Sequence, residues 1–207
     1  MSEFAKVEDI FSIPLYMSKI DLNDIDVVDI PTFSDSVNAL GAQRCQLSSS
    51  DSLLNENRFF SLRKQIDTHM NRFYYDILGY SNITSPYMSS SWLVRSLPGQ
   101  RSDWHLHRNC IFSGVVYLQV NDKSGNISFM RPRYQELCST FQPPIQQFTA
   151  YNSDISLALT RGMIIIFPSQ IQHRVEQNNS DEERISIAFN YFLKGKFTKH
   201  TESLELR

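Results

Sequence analysis

The sequence predicts a mainly β protein: a β-sandwich or jelly roll that carries its helices on the outside. Three observations lead there. From Ser89 onward, short apolar runs alternate with turn residues. The one long helical pattern lies before them. No internal repeat or composition break divides the 207 residues, so a single domain is expected, 1–207. Within it, 1–88 forms an N-terminal extension and 89–193 the β core.

In the extension, Ile10-Phe11-Ser12-Ile13-Pro14-Leu15-Tyr16-Met17 alternates apolar residues around a proline, the pattern of an edge strand or extended arm. Asp21 to Pro31 does not choose between helix and strand. The serine- and asparagine-rich stretch Asn38 to Asn57 reads as loop, with Asp51 or Asn55 placed to cap a helix. That helix is expected over about 55–78, because Phe59, Leu62, Ile66, Met70, Phe73 and Ile77 recur at three- and four-residue spacings. Gly79 stands where a C-terminal cap belongs. His69, beside the stripe, reads as a packing or surface residue, and the helix as a buttress for a sheet.

In the core, Ser91–Leu97 ends at the turn pair Pro98-Gly99, and Ser113–Val120 at the turn Asn121–Gly125. Further strands are expected at Asn126–Met130, Ile155–Leu159, Met163–Phe167, His173–Val175 and Arg184–Phe192. The segment Arg131 to Asp154, rich in proline, glutamine and aromatics, is long enough to be a substrate loop, with Tyr134, Phe141, Phe148 and Tyr151 as candidate contacts, or else a packed surface excursion.

Composition narrows the function. Hydrophobic content of 41% and charged content of 20% fit a globular domain, and a net charge of -2 gives no sign of nucleic-acid binding. No apolar run nears the ~20 residues of a membrane helix. The polar N-terminus is unlike a signal peptide, and Cys45, Cys110 and Cys138 show no pairing or C-x-x-C spacing. The cytoplasm, or host cytoplasm for a viral protein, is the expected setting. Cys110 is read as a small residue packing in or beside a strand. A homodimer stays open.

The chemistry concentrates in Asp103-Trp104-His105-Leu106-His107-Arg108-Asn109. In an extended chain His105 and His107 project to one side. His173, just past the strongest apolar strand, falls where a barrel mouth would place it. Three imidazoles on one face would leave a metal with open positions, the catalytic pattern, and imidazole suits several metals. Alternatively, His105 and His107 are exposed strand residues unrelated to His173. On the last strand, Arg184 and Ser186 share a face. A guanidinium turned inward calls for an anion, and a neighbouring hydroxyl suits a carboxylate.

His-x-His in place of His-x-Asp, a distant His and then Arg-x-Ser resembles the Fe(II)/2-oxoglutarate-dependent oxygenases. Ser91-Trp92-Leu93, His105–Asn109, Ser113–Leu118, Phe167-Pro168-Ser169 and Arg184–Asn190 look like an oxygenase family of bacteria and phages with no assigned substrate, and Phe11–Leu15 is similar too. The resemblance implies a double-stranded β-helix (jelly roll) with Fe(II) at its open end, using 2-oxoglutarate and molecular oxygen. It implies His105, His107 and His173 as metal ligands, and Arg184, Ser186 and Tyr117 as contacts to 2-oxoglutarate. Asp103 would be an alternative ligand or a support behind the ligands, and Asn109 could orient a ligand. The expected reaction is hydroxylation of a C–H bond, in a small molecule or a protein side chain, with release of succinate and carbon dioxide. Two other functions compete: a cupin-type metal dioxygenase that does not use 2-oxoglutarate, although Cys110–Gly114 lacks the expected Glu, and a non-catalytic β-sandwich that binds a partner or builds a structure.

Overall fold

The computed structural model describes residues 12–22, 25, 32–33, 44–132, 144–149, 151–197 and 204–206. Among these, the strands are β1 (Tyr16–Lys19), β2 (Thr32–Phe33), β3 (Gln46–Ser48), β4 (Thr84–Ser96), β5 (Phe112–Gln119), β6 (Ile127–Phe129), β7 (Ile155–Leu157), β8 (Met163–Pro168), β9 (His173–Val175), β10 (Arg184–Lys196) and β11 (Glu205–Leu206). They form two antiparallel sheets. The major sheet runs β1-β8-β5-β10-β4-β3-β2, with β11 on the end of β10; the minor sheet runs β7-β6-β9. The two face each other as a jelly roll, and the helix α1 (Phe60–Asn71) lies outside. Strands from before residue 89 thus share one sheet with those after it.

The period-two alternation of the central strands splits the interior. On β10, Ile185, Ile187, Phe189, Tyr191 and Leu193 face the helix, as do Val116 and Leu118 on β5 and Ile164 and Ile166 on β8. Their neighbours Val115, Tyr117, Ile165 and Phe167 face the minor sheet, where Ile127 and Phe129 meet them. One sheet therefore supports two apolar layers, and the polar residues Arg184, Ser186 and Asn190 fall on the side between the sheets.

The helix packs as predicted through Phe59, Leu62, Ile66, Met70 and Phe73, all buried. Each contributes on the order of 1.5–3 kcal/mol of burial. Three details differ from the expectation. Neither Asp51 nor Asn55 caps the α-helix: it follows two short 3-10 turns, Leu53–Asn55 and Asn57–Phe59, and the Asn55 side chain instead accepts a hydrogen bond from Arg63 Nη1 at 2.8 Å. Past Asn71 the coil widens to a π-helix (Arg72–Ile77), Leu78 N–H bonding back to Phe73 O at 2.9 Å. The extra residue per turn rotates the stripe, so Tyr74 is buried where the regular spacing predicts Ile77, which is 54% exposed. Gly79 does close the helix, at φ 71°. Finally, the serine-rich stretch is not all loop, because it contains β3.

Polar contacts from α1 tie the helix to the sheet. Tyr191 donates to the Asp67 carboxylate, which also pairs with Arg63 at 2.9 Å. His69 Nδ1 lies 2.7 Å from Tyr16 Oη on β1, a packing role as expected. β1 is an edge strand, paired only with β8 among the described residues. No helix among those residues is long and apolar enough to cross a membrane.

Candidate active site

His105 and His107 lie between β4 and β5 in irregular chain rather than in a strand, and backbone pairing to distant loops sets their direction. His105 and His173 exchange two backbone hydrogen bonds, 3.0 and 2.9 Å, and His107 N–H bonds to Ser169 O at 3.1 Å. The result brings the three rings together: ring nitrogens of His105, His107 and His173 all lie within 4.8 Å of one another. His107 also stacks on Trp92, with centroids 5.5 Å apart, and Phe167 meets the His173 ring edge-on at 4.7 Å.

The tautomers follow from hydrogen bonding. His105 Nδ1 is 2.8 Å from the Asp103 carbonyl and His173 Nδ1 is 3.0 Å from the Ile171 carbonyl. A carbonyl can only accept, so both Nδ1 atoms carry a proton, and Nε2 is the nitrogen each ring has left to offer a metal. Burial pushes His107 down to about 4, with the charge of His105 adding to the effect and a hydrogen bond to the Asn190 side chain opposing it. Burial, then His105, pushes His173 down to about 3. Both rings are neutral at pH 7, the form that ligates metal.

The cluster opens on a cavity of about 580 Å³ between the sheets. Arg184, Ser186, Tyr117 and Asn190 line it, as period-two alternation from Arg184 requires. Arg184 is 1% exposed; Nη1 donates to Ser124 O at 2.7 Å and Glu176 O at 3.2 Å, and Nη2 points at Cys45 Sγ, 3.7 Å away. Burial pushes its pKa below the ordinary value, and Cys45 and Tyr117 beside it act the other way. Tyr117 Oη is buried with no hydrogen-bond partner among the described residues. Burial also raises its pKa, partly offset by Arg184, so the phenol keeps its proton.

Other predicted residues fall differently. Asp103 supports His105 through its main-chain carbonyl; its carboxylate is 3.7 Å from Arg44 Nη2 and stands outside the cluster of ring nitrogens. Asn109 is exposed at φ 59°, a left-handed turn that asparagine tolerates, and does not line the cavity. The amide beside His107 is that of Asn190, which also bonds Ser90 Oγ at 3.0 Å and Ser113 Oγ at 2.8 Å. Phe148 and Tyr151 are exposed and line no part of the cavity, while Tyr134 and Phe141 lie outside the described residues. Cys110, half-buried, has its Sγ 3.8 Å from Ser113 Oγ.

The family match and the similar folds together indicate the class: an iron- and 2-oxoglutarate-dependent oxygenase. Residues 90–190, just under half of the chain, match the family described as "Putative 2OG-Fe(II) oxygenase". Similar folds include a 2OG-Fe(II) oxygenase family oxidoreductase from Burkholderia pseudomallei (16% identity, 79% of this chain and 74% of that one, TM-score 0.55). The α-ketoglutarate-dependent epimerase SnoN of nogalamycin biosynthesis is similar as well (11%, 81% and 70%, TM-score 0.57). So is a prolyl hydroxylase from Trichoplax adhaerens, solved with a peptide fragment of hypoxia inducible factor (14%, 77% and 70%, TM-score 0.51). No curated protein matches the sequence. The family selects the first of the three functions weighed from the sequence, over a cupin-type dioxygenase and a non-catalytic sandwich. Fe(II), 2-oxoglutarate and oxygen are the family's requirements.

Proposed function

We propose that this oxygenase hydroxylates a C–H bond, holding iron on His105, His107 and His173 and 2-oxoglutarate between that centre and Arg184. One observation carries the assignment: three imidazoles converge at a cavity that also holds a buried guanidinium beside an orphaned phenol. The residues fit the missing groups. With Nδ1 turned to a carbonyl, Nε2 of His105 and of His173 is the atom that would ligate a divalent metal, and Tyr117 Oη lacks the acceptor that a carboxylate would supply.

When bound, iron and 2-oxoglutarate would supply the chemistry by which molecular oxygen, the oxidant, puts one oxygen atom into the C–H bond and the other into succinate, with release of carbon dioxide. The chain supplies position. The carbonyls of Asp103 and Ile171 hold two rings in the metal-binding tautomer. Ser124 O and Glu176 O occupy Arg184 Nη1, which leaves the rest of the guanidinium to face a carboxylate, and Tyr117 and Ser186 add hydroxyls. Phe167, Trp92 and Val115 give the cavity dry walls that exclude water. With a third imidazole in place of a carboxylate, the protein ligands contribute no negative charge, one unit less than a His-x-Asp arrangement.

The substrate is a small molecule or a protein side chain; related folds have been solved with nogalamycin RO and with a peptide. Aerobic incubation with Fe(II) and 2-oxoglutarate tests the proposal. Succinate should form with wild type and not with His173→Ala; no succinate from wild type, or equal turnover by the variant, overturns it.

A further inference from the structure

Cys45 belongs to none of the sequence motifs, yet it touches Arg184, the buried cation that lines the cavity. It stands between two backbone anchors: Arg44 bridges Arg101, and Gln46 at the start of β3 pairs with Arg95 on β4. The side chain is 8% exposed and lines the cavity. Its Sγ lies 3.3 Å from Ser96 Oγ and 3.7 Å from Arg184 Nη2.

The direction of this chain of contacts can be deduced. Ser96 Oγ lies 3.4 Å from the Gln100 carbonyl, which can only accept, so the serine proton goes there. Ser96 Oγ is then an acceptor toward Cys45, and the thiol proton points at Ser96. The sulfur lone pairs are left facing Arg184 Nη2, and they accept from it. Nη1 is already committed to Ser124 O and Glu176 O. With one Nη2 proton on the sulfur, the fork cannot rotate, and its second Nη2 proton remains for a ligand. Tyr117 Oη, buried and without a partner in the same cavity, independently marks that place as a polar ligand's.

We propose that Cys45 is a positioning residue for the far carboxylate of 2-oxoglutarate: its sulfur sets the orientation of the Arg184 guanidinium, and its side chain forms part of the carboxylate pocket's wall. This rests on the co-substrate assignment above. It adds that the pocket's selectivity for a long 2-oxo diacid depends on a residue about 140 positions away in sequence from the arginine.

The test is binding, with no turnover involved. Calorimetric titration of 2-oxoglutarate, and separately of pyruvate, into Mn(II)-loaded protein compares a ligand with the far carboxylate and one without it. Cys45→Ala should weaken 2-oxoglutarate roughly five- to tenfold, the worth of about one ordinary hydrogen bond, and leave pyruvate unchanged. Cys45→Ser, which keeps one donor and an acceptor, should recover most of the loss. Unchanged 2-oxoglutarate affinity in Cys45→Ala, or equal losses for both ligands, overturns the role of Cys45 alone. A wild type that takes up Mn(II) but not 2-oxoglutarate overturns the co-substrate assignment together with it. A second measurement needs no variant: wild type treated with methyl methanethiosulfonate, with peptide mass spectrometry as the readout. 2-Oxoglutarate should protect Cys45 and leave Cys110 as reactive as before; equal modification of Cys45 with and without it counts against the proposal.

Discussion

The two ends of the cavity are built by opposite strategies. At the histidine end the rings of His105 and His107 sit on irregular chain, His105 is exposed, and direction comes from backbone pairing with His173 and Ser169. At the arginine end the side chains grow from the long regular strands β5 and β10 and are almost wholly buried. A metal site with open positions needs access, and two of the three proposed ligands, His105 and His107, stand on irregular chain that provides it, while His173 opens β9. A carboxylate anchor gains from a fixed, desolvated cation, because a hydrogen bond to a charge strengthens as water is removed. Breaking the first end should therefore cost function with little stability, and breaking the second should cost both.

The largest effect is expected at the metal end. His173→Ala should lower succinate formation ~100-fold or more and abolish stoichiometric Fe(II) or Mn(II) uptake, measured by turnover and metal analysis. Urea denaturation of the metal-free variant should still show a cooperative transition. Loss of that transition would mean that His173 is chiefly structural.

At the other end, Arg184→Met should raise the KM for 2-oxoglutarate by roughly 50-fold and also destabilise the fold, since it strips the Ser124 and Glu176 carbonyls of a donor at about 1–3 kcal/mol each. Ile66→Ala, on the helix-facing side, is the control: its cavity should cost about 2–5 kcal/mol and leave that KM unchanged. A KM that moves equally in both variants would show that stability, and not anion binding, sets it.

The metal end has a pH signature of its own. His107 and His173 are depressed to about 4 and about 3 from an ordinary value of 6.5. Between those limits the unfolded chain takes up protons that the native state refuses, so stability falls as pH falls from about 6.5. The slope of metal-free protein should approach ~1.4 kcal/mol per pH unit for each ring in that window, and His107→Gln should flatten it. An identical slope in the variant, measured by urea denaturation from pH 6.5 to 4.5, would show that His107 does not titrate in this way.

How much of this was legible in the sequence follows the same division. Regular strands announce themselves by alternation, so Arg184 and Ser186 fall on one side of a sheet from the sequence alone, whereas Tyr117 enters only through the family resemblance. Extending the same count by two more steps from Ser186 reaches Asn190, which the sequence reading passed over. Adjacency in sequence pointed instead to Asn109, whose left-handed turn carries its side chain away. The support that Asp103 gives His105 comes from its carbonyl, and side-chain chemistry cannot announce a main-chain contact. The same holds for the π-helix that exchanges Ile77 for Tyr74, and for Cys45, which meets Arg184 only through pairing of β3 with β4. Local period is written in residue types; contacts across the fold are not.

The smallest effect discriminates most sharply, because its sign differs between two measurements. In the ligand-free protein Tyr117 Oη is a buried hydroxyl without a partner, and such a group destabilises by about 1 kcal/mol or more. Tyr117→Phe removes it with hardly a change of shape, so the empty protein should be unchanged or slightly more stable. If the phenol donates to the far carboxylate, the same variant should bind 2-oxoglutarate roughly fivefold more weakly. A purely structural tyrosine would lose stability and keep its affinity. Thermal unfolding with and without 2-oxoglutarate, on Mn(II)-loaded protein, reads both quantities: a Tm at or above wild type without the ligand, and a smaller ligand-induced rise with it. A variant that is less stable when empty and gains the wild-type increment would remove Tyr117 from the anchor and leave Arg184 and Ser186 as its hydrogen-bonding groups.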